Sequence, residues 1–179
     1  MPAYIALLRG INVGGHKPIK MAGLQAHFAA CGAVNARTYI QSGNVVFEHR
    51  EKSSARLRTI LEKYLAGELG YAVPTLVIPA KDLAAIAKEN PNDTGLPEFG
   101  KRMYVCFFEK APAAAAVEAI QGLATDEERL VVKGVAAYAY YANGLGRAKL
   151  TSSVIERKLG LATLRNWNTV TALLAMLGE

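Results

Sequence analysis

The order in which strand-like and helix-like segments follow one another constrains this chain more than any single motif does. Residues 3–9 form a nearly continuous apolar run, the pattern of a central strand covered on both faces. Residues 20–31 carry Met21, Leu24, Phe28 and Cys31 at helical spacing, and Gly32 can end that helix in the left-handed conformation. Residues 35–40 and 44–48 are rich in Thr, Tyr, Ile, Val and Phe, and the hairpin chemistry of Gln41-Ser42-Gly43-Asn44 separates them. Ser53 is placed to cap a helix through residue 69 whose stripe is Leu57, Ile60, Leu61, Tyr64 and Leu65, with Gly70 closing it. Residues 74–79 read as a buried edge strand. Strand, helix, strand, strand, helix, strand is the ferredoxin-like βαββαβ unit.

The same order begins again further on. After a helix around Leu83 and Ile86 and the breaker-rich segment Asn90-Pro91-Asn92-Asp93-Thr94-Gly95-Leu96-Pro97, residues 102–108 read as strand and 112–122 as helix. Residues 128–132 and 135–141 read as strands around a Lys133-Gly134 turn. A polar segment, 142–150, leads to a helix with the capping box Ser153 and Glu156, then to a closing strand over 161–165. A final helix is capped by Asn168 and runs through Met176. The expectation is an α+β protein of duplicated ferredoxin-like (βαββαβ) halves with antiparallel sheets and a C-terminal helix. The halves span residues 1–79 and 101–179, joined by a connecting helix and loop over 80–100.

Composition supports a packed protein: 51% of the 179 residues are hydrophobic and 20% charged, which excludes a disordered chain. The net charge of +6 favours anionic partners, but the basic residues are spread along the sequence rather than gathered into a nucleic-acid stripe. Cys31 and Cys106 sit in apolar patterns and read as buried, reduced thiols. Arg9 interrupts the first apolar run, and no span approaches the roughly 18 apolar residues of a membrane helix. A cytoplasmic location, no membrane association and a monomer or homodimer are therefore expected. His16, His27, His49 and the cysteines lack paired ligand spacing, so no metal is expected, and no cofactor motif is present.

Three segments are long and unusual in combination: Leu7-Leu8-Arg9-Gly10-Ile11-Asn12-Val13-Gly14-Gly15, Thr38-Tyr39-Ile40-Gln41-Ser42-Gly43-Asn44-Val45-Val46-Phe47 and Arg165-Asn166-Trp167-Asn168-Thr169-Val170. On these the chain resembles, from its first residues to its last helix, the bacterial domain-of-unknown-function family numbered 1697. The resemblance implies the duplicated ferredoxin-like architecture. It carries no catalytic residue over to any position.

Chemistry has two candidate locations. In a βαββαβ unit the first two strands run parallel, so the loop after the first strand and the hairpin between the second and third share one end of the sheet. That end would gather Arg9, Asn12, Gly14, Gly15, His16, Lys17, Gln41, Ser42 and Asn44. Glycines that let backbone N–H groups approach, feeding a helix N-terminus, suit a phosphate or carboxylate, although glycine loops also serve simply as turns. The second location brings residues 143–149 toward 165–168, where Arg147, Lys149 and Arg165 supply charge, Trp167 a flat face and Asn166 and Asn168 amides. Its alternative is a core Trp167 beside a capped helix. Ser42 lies outside a Gly-x-Ser-x-Gly elbow and pairs with no histidine by spacing, so no catalytic residue is assigned. The expected function is that of a binding protein or small enzyme that takes a phosphate- or carboxylate-bearing small molecule; a nucleic-acid module and a self-associating protein are the alternatives.

Overall fold

The computed structural model describes residues 1–12, 17–92, 94–125 and 127–178. The chain divides into two compact units, residues 1–85 with 172–179, and residues 86–171. In the first, β1 (Ala3–Leu8), α1 (Met21–Ala30), β2 (Val34–Tyr39), β3 (Asn44–Glu48), α2 (Ser54–Leu69) and β4 (Thr75–Pro79) follow the expected order. After α3 (Ala80–Lys88) and the short α4 (Phe99–Arg102), the second unit repeats it: β5 (Met103–Phe108), α5 (Ala114–Gln121), β6 (Glu128–Lys133), β7 (Ala136–Tyr141), α6 (Ser152–Leu159) and β8 (Ala162–Asn166). The C-terminal helix is α7 (Trp167–Leu177).

Among the described residues the strands form two four-stranded antiparallel sheets, ordered β2-β3-β1-β4 and β6-β7-β5-β8. Both have the ferredoxin-like order, and the fold is α+β with duplicated halves. Alternation sets each core. In the first unit Tyr4, Ala6 and Leu8 of β1 and Val45 and Phe47 of β3 pack with Leu24 and Phe28 of α1 and Leu57, Leu61 and Leu65 of α2. In the second, Cys106, Phe108, Ala137, Ala139 and Tyr141 pack with Ile120, Ile155 and Leu159. Each such large side chain contributes roughly 1.5–3 kcal/mol on burial. The other face of the inner strands is buried as well, at Ile5, Leu7 and Val46 in one sheet and Val105, Phe107 and Tyr138 in the other.

Local signals decide most helix ends. Ser53 accepts a hydrogen bond from the Arg56 N–H at α2, and Gly70 closes that helix at φ 74°. Two expected caps differ. The α6 cap is Thr151, which accepts from the Val154 N–H two residues before the expected Ser153, and Ile155 and Leu159 face the core. The α7 cap is Asn166, whose Oδ1 accepts from both the N–H and the hydroxyl of Thr169. Asn168 instead stands exposed on the helix beside Gly100, where a Cβ would lie 2.0 Å from its Oδ1. Both cysteines are free, but only Cys106 is buried; Cys31 is half-buried at the end of α1.

Candidate functional site

At the C-terminal end of β1 three connections meet: the β1–α1 loop, the β2–β3 hairpin and the α2–β4 turn. Leu7 pairs with Asn44, the Leu8 N–H donates to Gly43 O and the Arg9 N–H to Pro74 O, so all three begin at the same level of the sheet. Asn12 then holds the loop. It sits at φ 54°, its Oδ1 accepts from the Ile19 N–H at 2.8 Å, and its Nδ2 donates to Ile19 O and Gln41 O, both at 3.0 Å. Lys17 makes the second stitch, donating from Nζ to Ala72 O at 2.8 Å while lying 5.5 Å from the Tyr71 ring centroid. The hairpin is pressed against the loop at Gly43, where a Cβ would come within 2.8 Å of both Ile11 Cδ1 and Leu8 Cβ.

Arg9, Asn12, Lys17, Gln41, Ser42 and Asn44 are thus brought to one end, as their topology requires. Their roles separate. Asn44 is fully buried and donates from Nδ2 to Tyr39 O and Ser42 Oγ, which commits its side chain to building the turn. Gln41 and Ser42 are exposed, and Arg9 and Lys17 half-exposed. Lys20, also exposed, stands at the start of α1, whose first turn carries no acidic side chain and whose N-cap makes no side-chain hydrogen bond. Gly14, Gly15 and His16 lie outside the described residues.

The second set shares an end of its sheet, since β7 and β8 both finish beside the start of β5. Its members do different work. Arg165 is buried, donates to Thr163 Oγ1 and Leu164 O, and burial lowers its pKa to about 10. Asn166 caps α7, and Trp167 is half-buried with its ring edge-on to Phe99 at 5.6 Å. Arg147 and Lys149 are exposed. The residue organising this segment escaped the sequence reading: the buried Glu128 carboxylate accepts from the N–H groups of Lys149 and Leu150 at 2.7 and 2.9 Å. Its signal was the two-residue alternation of β6, which turns Glu128 inward with Leu130.

The family model described as Protein of unknown function (DUF1697) matches residues 1–138. The chain belongs to the DUF1697 family. Among solved structures it is similar to the conserved bacterial protein SP0830 from Streptococcus pneumoniae, with a TM-score of 0.77 and 23% identity over 98% of each chain. At that identity the likeness concerns the fold. No curated protein matches the chain.

In this DUF1697 chain the tyrosines of β7 are committed to packing. Tyr138 and Tyr140 are buried, and their hydroxyls donate to Ile86 O and Pro97 O. Among the described residues no group of three or more His, Cys, Asp or Glu is placed to hold a metal, and no helix is long and apolar enough to cross a membrane.

Proposed function

We propose that this chain binds a small molecule through a phosphate or carboxylate group at the C-terminal end of β1. The observation that supports this reading is the stitching of the β1–α1 loop to two neighbouring connections by Asn12 and Lys17. It brings Arg9 and Lys17, with Lys20 at the start of α1, to the sheet end that also carries Gln41 and Ser42. Rigid placement matters because donors held in position need no further ordering when the ligand arrives. The Glu62 carboxylate accepts from the Thr75 N–H at the start of β4.

The nucleic-acid reading has less to rest on. Sheets of this type that read RNA stack bases on exposed aromatic rings, whereas Tyr138 and Tyr140 are buried. The deciding experiment is a thermal-shift series with inorganic phosphate, sugar phosphates, carboxylates and short oligonucleotides at low and high salt. A ligand at ~100 times its Kd adds about 2.7 kcal/mol, a readily measured rise in Tm. The proposal expects a small anion to give that rise, to keep most of it in salt, and to lose it in Arg9→Ala. A rise with oligonucleotides alone that disappears in salt would replace this reading with nucleic-acid binding.

A further inference from the structure

Resting on that reading of the β1 end, we infer that Asn12 does not touch the ligand but positions the hairpin, and that Gln41 is the side chain that reads the ligand. An asparagine amide has two N–H donors and one acceptor oxygen. Both Asn12 donors are consumed, on Ile19 O and Gln41 O, and its oxygen takes the Ile19 N–H. The amide orientation follows from its partners, because two carbonyls require the nitrogen and one N–H requires the oxygen. What remains is a lone pair, which an anion cannot use. Asn44 is in the same position, with its donors spent on Tyr39 O and Ser42 Oγ.

Gln41 differs from both. Its carbonyl is fixed by Asn12, and its backbone is framed by left-handed conformations on either side, Ile40 at φ 48° and Gly43 at φ 75°. Its side chain is exposed and takes no described partner, so both amide donors are available on a backbone that Asn12 ties to the loop carrying Arg9 and Lys17. The Asn12 to Gln41 bond therefore makes loop and hairpin one body: what fixes the loop also fixes the donor. An amide beside cations also suits an anion that carries an adjoining hydroxyl or amine, because its oxygen can accept while its nitrogen donates.

The test combines backbone amide exchange with calorimetric titration of inorganic phosphate on the full chain. In Asn12→Ala the Ile19 amide loses its acceptor and should exchange about tenfold faster or more, as expected when a local bond sets protection. In Asn12→Asp, which keeps an acceptor oxygen, Ile19 should stay protected while the amides of residues 41–43 exchange faster. Gln41→Ala should weaken phosphate binding several-fold, and Gln41→Glu more so, with Tm unchanged for this exposed position. Asn12→Ala that weakens phosphate with Ile19 still protected would make Asn12 a direct contact and overturn the inference. Gln41→Ala binding phosphate like the wild type would overturn the role of Gln41. A wild-type chain that binds no phosphate sinks the binding reading and the Gln41 assignment together, while the Ile19 exchange rate still decides whether Asn12 is the clasp.

Discussion

The first strand of each unit ends in the same two backbone hydrogen bonds: Leu8 N–H to Gly43 O and Arg9 N–H to Pro74 O in one, Phe108 N–H to Val135 O and Glu109 N–H to Leu161 O in the other. What is built on that shared frame differs. In the first unit residues 9–20 lie between strand and helix and 70–74 before the closing strand; in the second the corresponding spans are 109–113 and 160–161. The position of Arg9 holds Glu109 in the second unit, and the clasp of Asn12 and the stitch of Lys17 belong to the long loops of the first. Duplication preserved the hydrogen-bonded frame while the loops diverged, as expected when scaffold and site are separate demands on one sequence. The long-loop end is where we propose that the ligand binds.

The largest effect should come from the point where hairpin and loop press together. Gly43 has φ 75°, and a Cβ there meets Leu8 Cβ and Ile11 Cδ1 at 2.8 Å. Leu8 cannot give way, since its Cβ belongs to a core strand. Gly43→Ala should therefore cost about 2–4 kcal/mol, adding left-handed strain to overpacking, read as a lower urea midpoint. A cost below about 1 kcal/mol would mean that strain alone acts and that loop and hairpin are not in tight register.

Much of this frame was legible in the sequence, and the parts that were not share a cause. Strand and helix order followed from periodicity, and the Ser53 cap and Gly70 stop from short-range chemistry. Thr151-Ser152-Ser153 offers three hydroxyls, and the capping-box spacing favours Ser153; it is Thr151 whose hydroxyl takes the Val154 N–H, a distance that spacing alone does not fix. Asn166 and Asn168 are both competent caps, and close approach to Gly100 and the Trp167 contact with Phe99 accompany the earlier start. The site behaved likewise. Topology placed the β1–α1 loop beside the hairpin, but which asparagine donors are spent on Ile19, Gln41 or Tyr39 is a matter of three-dimensional distance.

A mid-sized effect separates the two sheets by their tyrosines. Desolvation, with a smaller contribution from Glu89, raises the Tyr138 pKa from 10.0 to about 12, and burial also raises Tyr104 and Tyr141 in the same sheet. A raised phenol pKa means that the unfolded chain loses its proton first. Stability is then fully present below pH 10 and falls as pH rises toward about 12. At the position matching Tyr138 the first sheet carries Val46, and although burial and Glu51 also raise its Tyr4, the larger shift is at Tyr138, so alkaline loss of protection should begin in the second unit, as amide exchange between pH 9 and 11 would register on the order of one pH unit. Tyr138→Phe should cost about 1 kcal/mol at neutral pH, through the lost bond to Ile86 O, and flatten the alkaline decline. Equal alkaline loss in both units would break the contrast.

The smallest effect belongs to the hairpin of the second unit. Gly134 is also left-handed, at φ 55°, but a Cβ there meets nothing within 4 Å. The neighbouring β5–α5 connection is short, residues 109–113, and Val135 beside the turn is 47% exposed. Gly134→Ala should therefore cost only the left-handed strain, about 1 kcal/mol, partly offset by a less flexible unfolded chain. The two alanine substitutions form a matched pair: both pay for positive φ, and the excess at Gly43 measures contact between hairpin and loop. If Gly134→Ala proved as damaging as Gly43→Ala, the cost at both turns would be backbone strain, and the close docking of the hairpin on the Asn12 loop would have no energetic weight.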